Sequence, residues 1–345
     1  MTELNSQLLN LILANKSINE ISQTMSLSHK QIFQRLKNLQ QNGYCFDREY
    51  TYKGDIFYKK NKDIYTKDRD IRIEMPNDVN EIQAILISDL HIGCVKERLD
   101  ALDQIYDYCI KNGINIIINA GDLINGKIMG PDNKNKISDY EAQIKYLLKN
   151  YPFDKNILNF TCLGNHDIDA LQNEGIDLAT ALYNNRHDII PLGYAEGIIG
   201  IKNEKIVVKH PIKSCPNQEE NPYFVKGHAH KMAINKGSDS FSITVPTLSD
   251  LSYNNSCFAP SAVEITIKFY SNLFQQVYIK HLVIFNDKIY SINEANIFLS
   301  RKIKSSNNYI NDTEDKKKDT TIKHSNENQS PKTKKLEKFK SKYYW

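Results

Sequence analysis

Five of the nine histidines in this 345-residue chain sit where a short β-like run stops. Ala84 to Gly93 reads AILISDLHIG, an apolar run that breaks at Asp89-x-His91. The pattern repeats at Gly121-Asp122 after Ile114 to Ala120, and at Gly164-Asn165-His166-Asp167 after Ile157 to Leu163. It recurs at His210 after Lys205 to Lys209, and at Gly227-His228-Ala229-His230 after Tyr223 to Lys226. Imidazoles and carboxylates gathered in this way are metal-ligand types, and an Asp and a His two residues apart project to one side.

The elements that position them follow from the same runs. Short Val/Ile/Leu-rich segments that stop at polar residues predict strands buried on both faces, as in a parallel sheet. Ligands of open α/β sheets bind at the carboxyl edge of the strands, where these residues emerge. Arg98 to Lys111 carries Leu99, Leu102, Ile105, Tyr106 and Ile110 at helical spacing, so a strand-helix-strand unit is expected, ended by Asn112-Gly113. Glu141 to Leu148 and Ile168 to Tyr183 predict further helices, and Phe241 to Val245, Ala262 to Tyr270, Gln276 to Phe285 and Lys288 to Ile292 further strands.

In order and spacing, D-x-H, G-D, G-N-H-D, a lone His and G-H-x-H resemble the calcineurin-like metallophosphoesterase superfamily, over roughly Ile82 to Tyr290. The resemblance implies an α/β (α+β) fold, a four-layer β-sandwich flanked by helices. It implies hydrolysis of phosphate esters by a hydroxide activated between two divalent cations, which lower the pKa of a bridging water and neutralise the transferring group. Carried over by position, one cation takes Asp89, His91, Asp122 and His230; the other takes Asp122, Asn165, His210 and His228, with Asp122 as the bridge. His166 is then the general acid, oriented by Asp167, with a ligand role for His166 as the competing reading. Mn²⁺ is the first expectation for the metal, with Fe, Zn or Ni as alternatives. Leu123-Ile124-Asn125 departs from the superfamily, many of whose members carry an acid at the last position.

The first sixty residues form a pattern of their own. Leu8, Leu9, Ile12 and Leu13, then Ile18, Ile21 and Met25, recur at helical spacing. Ser28 to Gln31 has the form of a capping box opening a third helix over His29 to Gln41, stopped by Asn42-Gly43. Tyr44 to Tyr52 and Ile56 to Lys60 read as a hairpin around Lys53-Gly54-Asp55. Three helices and a hairpin resemble a winged helix-turn-helix module, whose last helix enters the major groove of DNA. Its outward face offers His29, Lys30, Gln34, Lys37 and Asn38, with Lys53, Lys59 and Lys60 on the wing; Lys30, Gln34, Lys37 and Lys53 are the expected nucleic-acid contacts. A solvated or protein-binding surface is the other reading.

The chain is thus expected to divide into a winged-helix-like domain at 1–62, a linker at 63–80, a metallophosphoesterase domain at 81–300 and a disordered basic tail at 301–345. Residues 301–345 hold thirteen Lys or Arg against six Asp or Glu, which concentrates in them the positive charge of a chain whose net charge is only +4. Residues Ile124 to Ser138 predict a mobile loop at the mouth of the site; a solvated loop is the leading reading of its lysines, with Lys127, Lys134 and Lys136 as candidate phosphate contacts. Six dispersed cysteines without a C-x-x-C pair argue against a disulfide framework or a zinc ribbon. The apolar runs are too short to span a bilayer and the start lacks a basic leader, so a cytoplasmic protein without membrane association is expected.

These features together point to a phosphodiesterase acting on nucleic acid, DNA more than RNA, with a homodimer as a further expectation. The alternative is a phosphatase or phosphodiesterase for a phosphoprotein, nucleotide or small molecule, with a regulatory N-terminal module. A transcriptional regulator whose phosphoesterase fold binds without turnover is a third reading.

Overall fold

The computed structural model describes residues 2–42, 44–61, 71–128, 134–211, 223–251 and 259–299. All of them fall within one unit, Met1–Arg301. The expected tail at 301–345 lies outside the described residues, as do 129–133 of the expected loop.

Two sheets make the body. One has seven strands in the order β15-β14-β13-β4-β5-β6-β7. Its centre is parallel: β4 (Glu81–Ile87), β5 (Ile116–Asn119), β6 (Leu158–Leu163) and β7 (Ile189–Tyr194). β5 and β6 are buried at every position, which is why they read as continuous apolar runs. β13 (Ser261–Tyr270) pairs antiparallel with β4, and β14 (Leu273–Phe285) and β15 (Lys288–Phe298) follow as hairpins.

Helices α4 (Leu99–Asn112), α5 (Tyr140–Asn150), α6 (Asn165–Glu174) and α7 (Leu178–Asn185) contribute the apolar residues that cover one face of this sheet, among them Leu102, Ile105, Leu147, Ala170 and Leu182. The single helix expected over Ile168 to Tyr183 is two. Gly175 adopts the left-handed conformation that ends α6, and the Asp177 side chain caps α7.

The other sheet has eight strands, ordered β11-β12-β10-β9-β8-β3-β1-β2. It contains β8 (Glu196–Ile201), β9 (Glu204–Lys209), β10 (Tyr223–Lys226), β11 (Ala233–Lys236) and β12 (Phe241–Thr244). The N-terminal hairpin, β1 (Cys45–Thr51) and β2 (Ile56–Asn61), forms its edge. β3 (Ile71–Glu74), inside the segment expected to be a linker, pairs with β1 on one side and β8 on the other. Hydrogen bonding therefore runs across the expected boundary between module and catalytic domain.

Helices α1 (Glu3–Leu13), α2 (Ile18–Met25) and α3 (His29–Gln41) start at Thr2, Ser17 and Ser28, each capping with its own side chain. Their Leu8, Ile21, Ile32 and Leu36 share one apolar cluster with Phe160, Val208 and Ile265 of the two sheets. The module is docked rather than tethered. His29 lies against His187 and Phe153, and Arg48 is held over the rings of Phe33, Tyr58 and Tyr183. Gly54, at φ +79° in the hairpin turn, sits so close to Asn156 that a Cβ there would stand 1.9 Å from its carbonyl oxygen. Asn19 adds bonds to Asp55 (2.9 Å) and Asn156 (3.5 Å).

No helix among the described residues is long and apolar enough to cross a membrane. Cys94, Cys109 and Cys162 are buried free thiols.

Candidate metal centre

The carboxyl ends of strands from both sheets meet at one place. Asp89 follows β4, Asp122 follows β5, and Asn165 and His166 open α6 after β6; His210 follows β9, and His228 and His230 follow β10. The two sheets thus each supply part of one cluster.

Local backbone geometry at these turns is unusual. Asp89, His91, Asp122, His228 and His230 all have φ between 47° and 74°, the left-handed region that non-glycine residues rarely occupy. Such conformations cost of order 1–3 kcal/mol each and persist where the surroundings enforce them, typically at functional sites. Interlocking turns do so here. Asp89 N donates to Gly121 O (2.9 Å), His91 N to Asp122 O (3.0 Å), His228 N to Asp89 Oδ2 (3.1 Å), and Thr247 Oγ1 to Asp89 O (2.8 Å). Gly121 must be glycine: its φ is +110°, and a Cβ would stand 2.3 Å from His210 Nδ1.

Asp122 lies at the centre of the cluster. Its Oδ2 is 3.1 Å from His210 Nε2, 3.9 Å from His91 Nε2 and 4.0 Å from His166 Nε2. Asp89 Oδ1 is 3.3 Å from His230 Nε2 and 3.9 Å from both His91 Nε2 and His210 Nε2. Asn165 Oδ1 stands 3.1 Å from His210 Nε2 and 3.1 Å from His228 Nδ1. Three overlapping groups have all their ligand atoms within 4.8 Å of one another: Asp89, His91 and His230; Asp122, His210 and His228; and His91, Asp122 and His166.

The donor set fits cations. Asp89 Oδ1 is buried and faced by imidazole nitrogens of His230, His91 and His210 at 3.3–3.9 Å, all of them ligand atoms in their neutral form. His91 Nε2 and His230 Nε2 face each other at 3.3 Å, an arrangement in which a shared cation can use both lone pairs. Imidazole nitrogen with carboxylate and amide oxygen suits Mn, Fe, Zn or Ni. Asn165 and His228 are only half-buried, so the site opens to solvent on their side.

Charge is distributed unevenly within the cluster. Burial, with His166 nearby, pushes His91 down to about 3. Burial also opposes a charge on His210, yet Asp122 and Asp89 overcome it and raise that imidazole to about 10. Burial alone would raise the two carboxyls; the imidazoles outweigh it, holding Asp122 and Asp89 below the usual carboxylate range. A bound cation takes the place of those protons, because metal ligands must be deprotonated.

His166 and Asp167 do not form the pair that the sequence suggests. The Asp167 carboxylate instead accepts the backbone N–H groups of Gly164 (2.8 Å), Leu123 (3.1 Å) and Ile124 (2.9 Å). The His166 ring is held by the Asn125 carbonyl, 2.6 Å from Nδ1. Asp167 is the first acidic residue of α6, and a carboxylate there reaches unpaired N–H groups of its own helix start before it reaches a ring. Burial and Asp122 push it up to about 7, against the pull of its three N–H donors.

Sequence reasoning missed the supports of this region. Gln143, fully buried, accepts from Gly126 N (2.9 Å) and donates to Gly126 O (2.9 Å) and Ile137 O (2.7 Å). Asp169 accepts from Lys127 N and the Tyr140 hydroxyl. Two of the candidate phosphate contacts are engaged elsewhere, Lys127 with Glu174 and Lys136 with Glu97.

The expected nucleic-acid contacts lie far from this centre. Lys30, Gln34 and Lys53 are exposed and Lys37 half-buried, its Nζ 5.5 Å from the Phe33 ring centroid. The module docks on Asn156 and His187, which precede β6 and β7, whereas the cluster follows the carboxyl ends. A six-residue strand separates the two by about 20 Å.

A two-sheet α/β body with Asp, His and Asn converging at its carboxyl edge defines a metal-dependent hydrolase of phosphate ester bonds. The calcineurin-like phosphoesterase profile matches residues 82–254, half of the chain, and the protein belongs to that family. Similar solved structures include vacuolar protein sorting 29 from Cryptosporidium parvum, 13% identical at a TM-score of 0.39, covering 64% of this chain and 100% of that one. Another is Yfce, a phosphoesterase from E. coli, 14% identical at 0.38, with 64% and 100% covered. Vps29 from Entamoeba histolytica, complexed with Zn²⁺, is 14% identical at 0.37, with 63% and 99% covered. At such scores these likenesses add nothing to the assignment. A comparison with curated proteins finds no match.

Proposed function

We propose that the protein is a dinuclear phosphoesterase in which Asp89, His91, Asp122 and His230 hold one divalent cation and Asp122, Asn165, His210 and His228 hold the other. The observation that carries this reading is that His91, assigned to one cation, and His210, assigned to the other, both lie within 4.0 Å of Asp122 Oδ2, since a carboxylate can bridge two cations and a neutral imidazole cannot. Two bound cations supply a lowered pKa for water and charge neutralisation at phosphorus. Mn²⁺ is the first choice, with Fe, Zn or Ni as alternatives.

The protein's own groups do the rest. Nδ1 of His166 donates to the Asn125 carbonyl, which turns Nε2 toward the cluster, where the ring in its doubly protonated form would deliver a proton to the leaving oxygen. Asp167 fixes the Leu123–Ile124 backbone and the start of α6, and so acts by positioning. The amino end of α6 beside the cluster favours an anionic substrate.

For the substrate, the docked module favours a nucleotide, a phosphoprotein or a small ester over a duplex. The wing turn and the first residue of α3, which would approach DNA, are packed on the amino edge of the sheet. A nucleic-acid substrate draws its support from the exposed Lys30, Gln34 and Lys53. Mn²⁺-loaded protein incubated with p-nitrophenyl phosphate, its bis-ester, labelled DNA and labelled RNA tests the choice. Fast ester hydrolysis with DNA binding that is weak and flat in salt supports the first reading. Cleavage of DNA or RNA, with affinity falling steeply as salt rises, supports the second.

A further inference from the structure

The β14–β15 hairpin carries apolar surface that nothing described covers. Phe285 is 58% exposed, and Tyr290 and Ile292 are each 50% exposed. Among the described residues β15 pairs only with β14, so its outer edge keeps a row of free backbone groups. Proteins usually blunt an edge this long with charge, proline or a bulge. Here a register shift at Ile279/Lys280, opposite Asn293 and Ala295, interrupts the strand only after Asn293.

Topology places the hairpin tip at the edge that holds the metal centre. Val263 pairs with Leu86 near the carboxyl end of β4, and Ser261 pairs with Val283, so β14 runs toward that edge and β15 starts from it. Tyr290 pairs with Val283 and Ile292 with His281, which sets both side chains on one face. Glu294 reaches that face too, 3.7 Å from His281 Nδ1.

We propose that β15 is the interface of a homodimer, pairing antiparallel with β15 of a second copy about a twofold axis at Ser291. The spacing of alternate residues commits the occupant. With Ser291 opposite Ser291, Tyr290 faces Ile292 of the second copy and Lys288 faces Glu294. The row Lys288, Tyr290, Ile292, Glu294 is thus self-complementary, with an apolar centre closed by an ion pair at each end. Isologous pairing of this kind uses one patch twice and closes without forming a chain of subunits. The register shift falls between Asn293 and Ala295, so Glu294 is the bulged residue and its ion pair with Lys288 of the second copy closes the ladder just beyond its last paired residue. Each copy then adds its seven-stranded sheet to that of the other.

Sedimentation velocity on the full-length protein, from about 1 to 100 μM, tests this. The wild type is expected to reach a dimer. Glu294→Lys, which sets Lys against Lys across the axis, should weaken it at least about tenfold. The double variant Lys288→Glu/Glu294→Lys should restore it, which a merely misfolded protein could not do. Ile292→Lys should give a monomer, and all variants should retain metal-supported hydrolysis of p-nitrophenyl phosphate. A wild type that stays monomeric throughout the range, as it would if its own C-terminal residues covered the strand, overturns the proposal. So does a dimer indifferent to Glu294→Lys and Ile292→Lys.

Discussion

The carbonyl oxygen of Asn125 lies 2.6 Å from Nδ1 of His166 and fixes which ring nitrogen faces the metal cluster. With Nδ1–H donated to that carbonyl, Nε2 points to Asp122 Oδ2, 4.0 Å away. A proton-delivering imidazole needs one nitrogen anchored and the other directed, and this contact provides both.

Replacing the ring therefore separates chemistry from metal binding. His166→Ala should keep both cations by elemental analysis and lower kcat by about 10²–10⁴-fold. A variant that loses metal together with activity would make His166 a ligand, as its place in the third cluster allows.

Gln143 acts on the same ring at a distance. Its amide holds both backbone groups of Gly126, and the next residue back is Asn125. Gln143→Ala leaves Gly126 N unpaired in a buried place and Gly126 O with only the Asn135 amide as donor, which should cost about 1–3 kcal/mol in thermal unfolding. Metal content should stay at the wild-type level while kcat falls, since the Asn125 carbonyl loses its support.

Docking of the N-terminal module is open to a test at Gly54. Gly54→Ala meets both the positive φ and the Asn156 backbone at 1.9 Å. Hydrogen exchange should show faster opening of β1, β2 and α3, with a loss of about 1 kcal/mol or more. Hydrolysis of small esters should change little, because this contact lies at the sheet's other edge.

Acid should loosen the same contact. Burial pushes His187 down to about 4 and also lowers His29, whose Nδ1 lies 3.3 Å from His187 Nε2. A histidine whose folded pKa lies below its unfolded value contributes stability above the unfolded value and loses it as pH falls. The loss should develop between about pH 6.5 and pH 4 and approach 3 kcal/mol in order of magnitude for His187. Urea unfolding at a series of pH values should show that slope in the wild type and a flatter one in His187→Asn.

Much of this was legible in the chain because strand ends are local events. The runs before Asp89, Asp122, Asn165, His210 and His228 each announce a buried strand and its stop within ten residues. The third helix is another local case: the Ser28–Gln31 capping box and the Asn42 stop bound α3 at the expected residues. What escaped is set by partners distant in sequence. β3 is a four-residue strand whose only reason to form is pairing with β1 and β8. Gly54 reads as an ordinary hairpin glycine until Asn156, about a hundred positions away, stands against it. Asp167 read as the orienter of its neighbour, yet three backbone N–H groups from two different loops claim its carboxylate.

The central claim is that Asp122 bridges two divalent cations. Elemental analysis of Mn²⁺-reconstituted wild type and Asp122→Asn, paired with hydrolysis of p-nitrophenyl phosphate, measures it most directly. Two metal equivalents per chain in the wild type, and one or fewer with activity lost in the variant, is the predicted result. A wild type that hydrolyses the ester with no bound metal, or an Asp122→Asn protein that keeps two equivalents and full turnover, would contradict it.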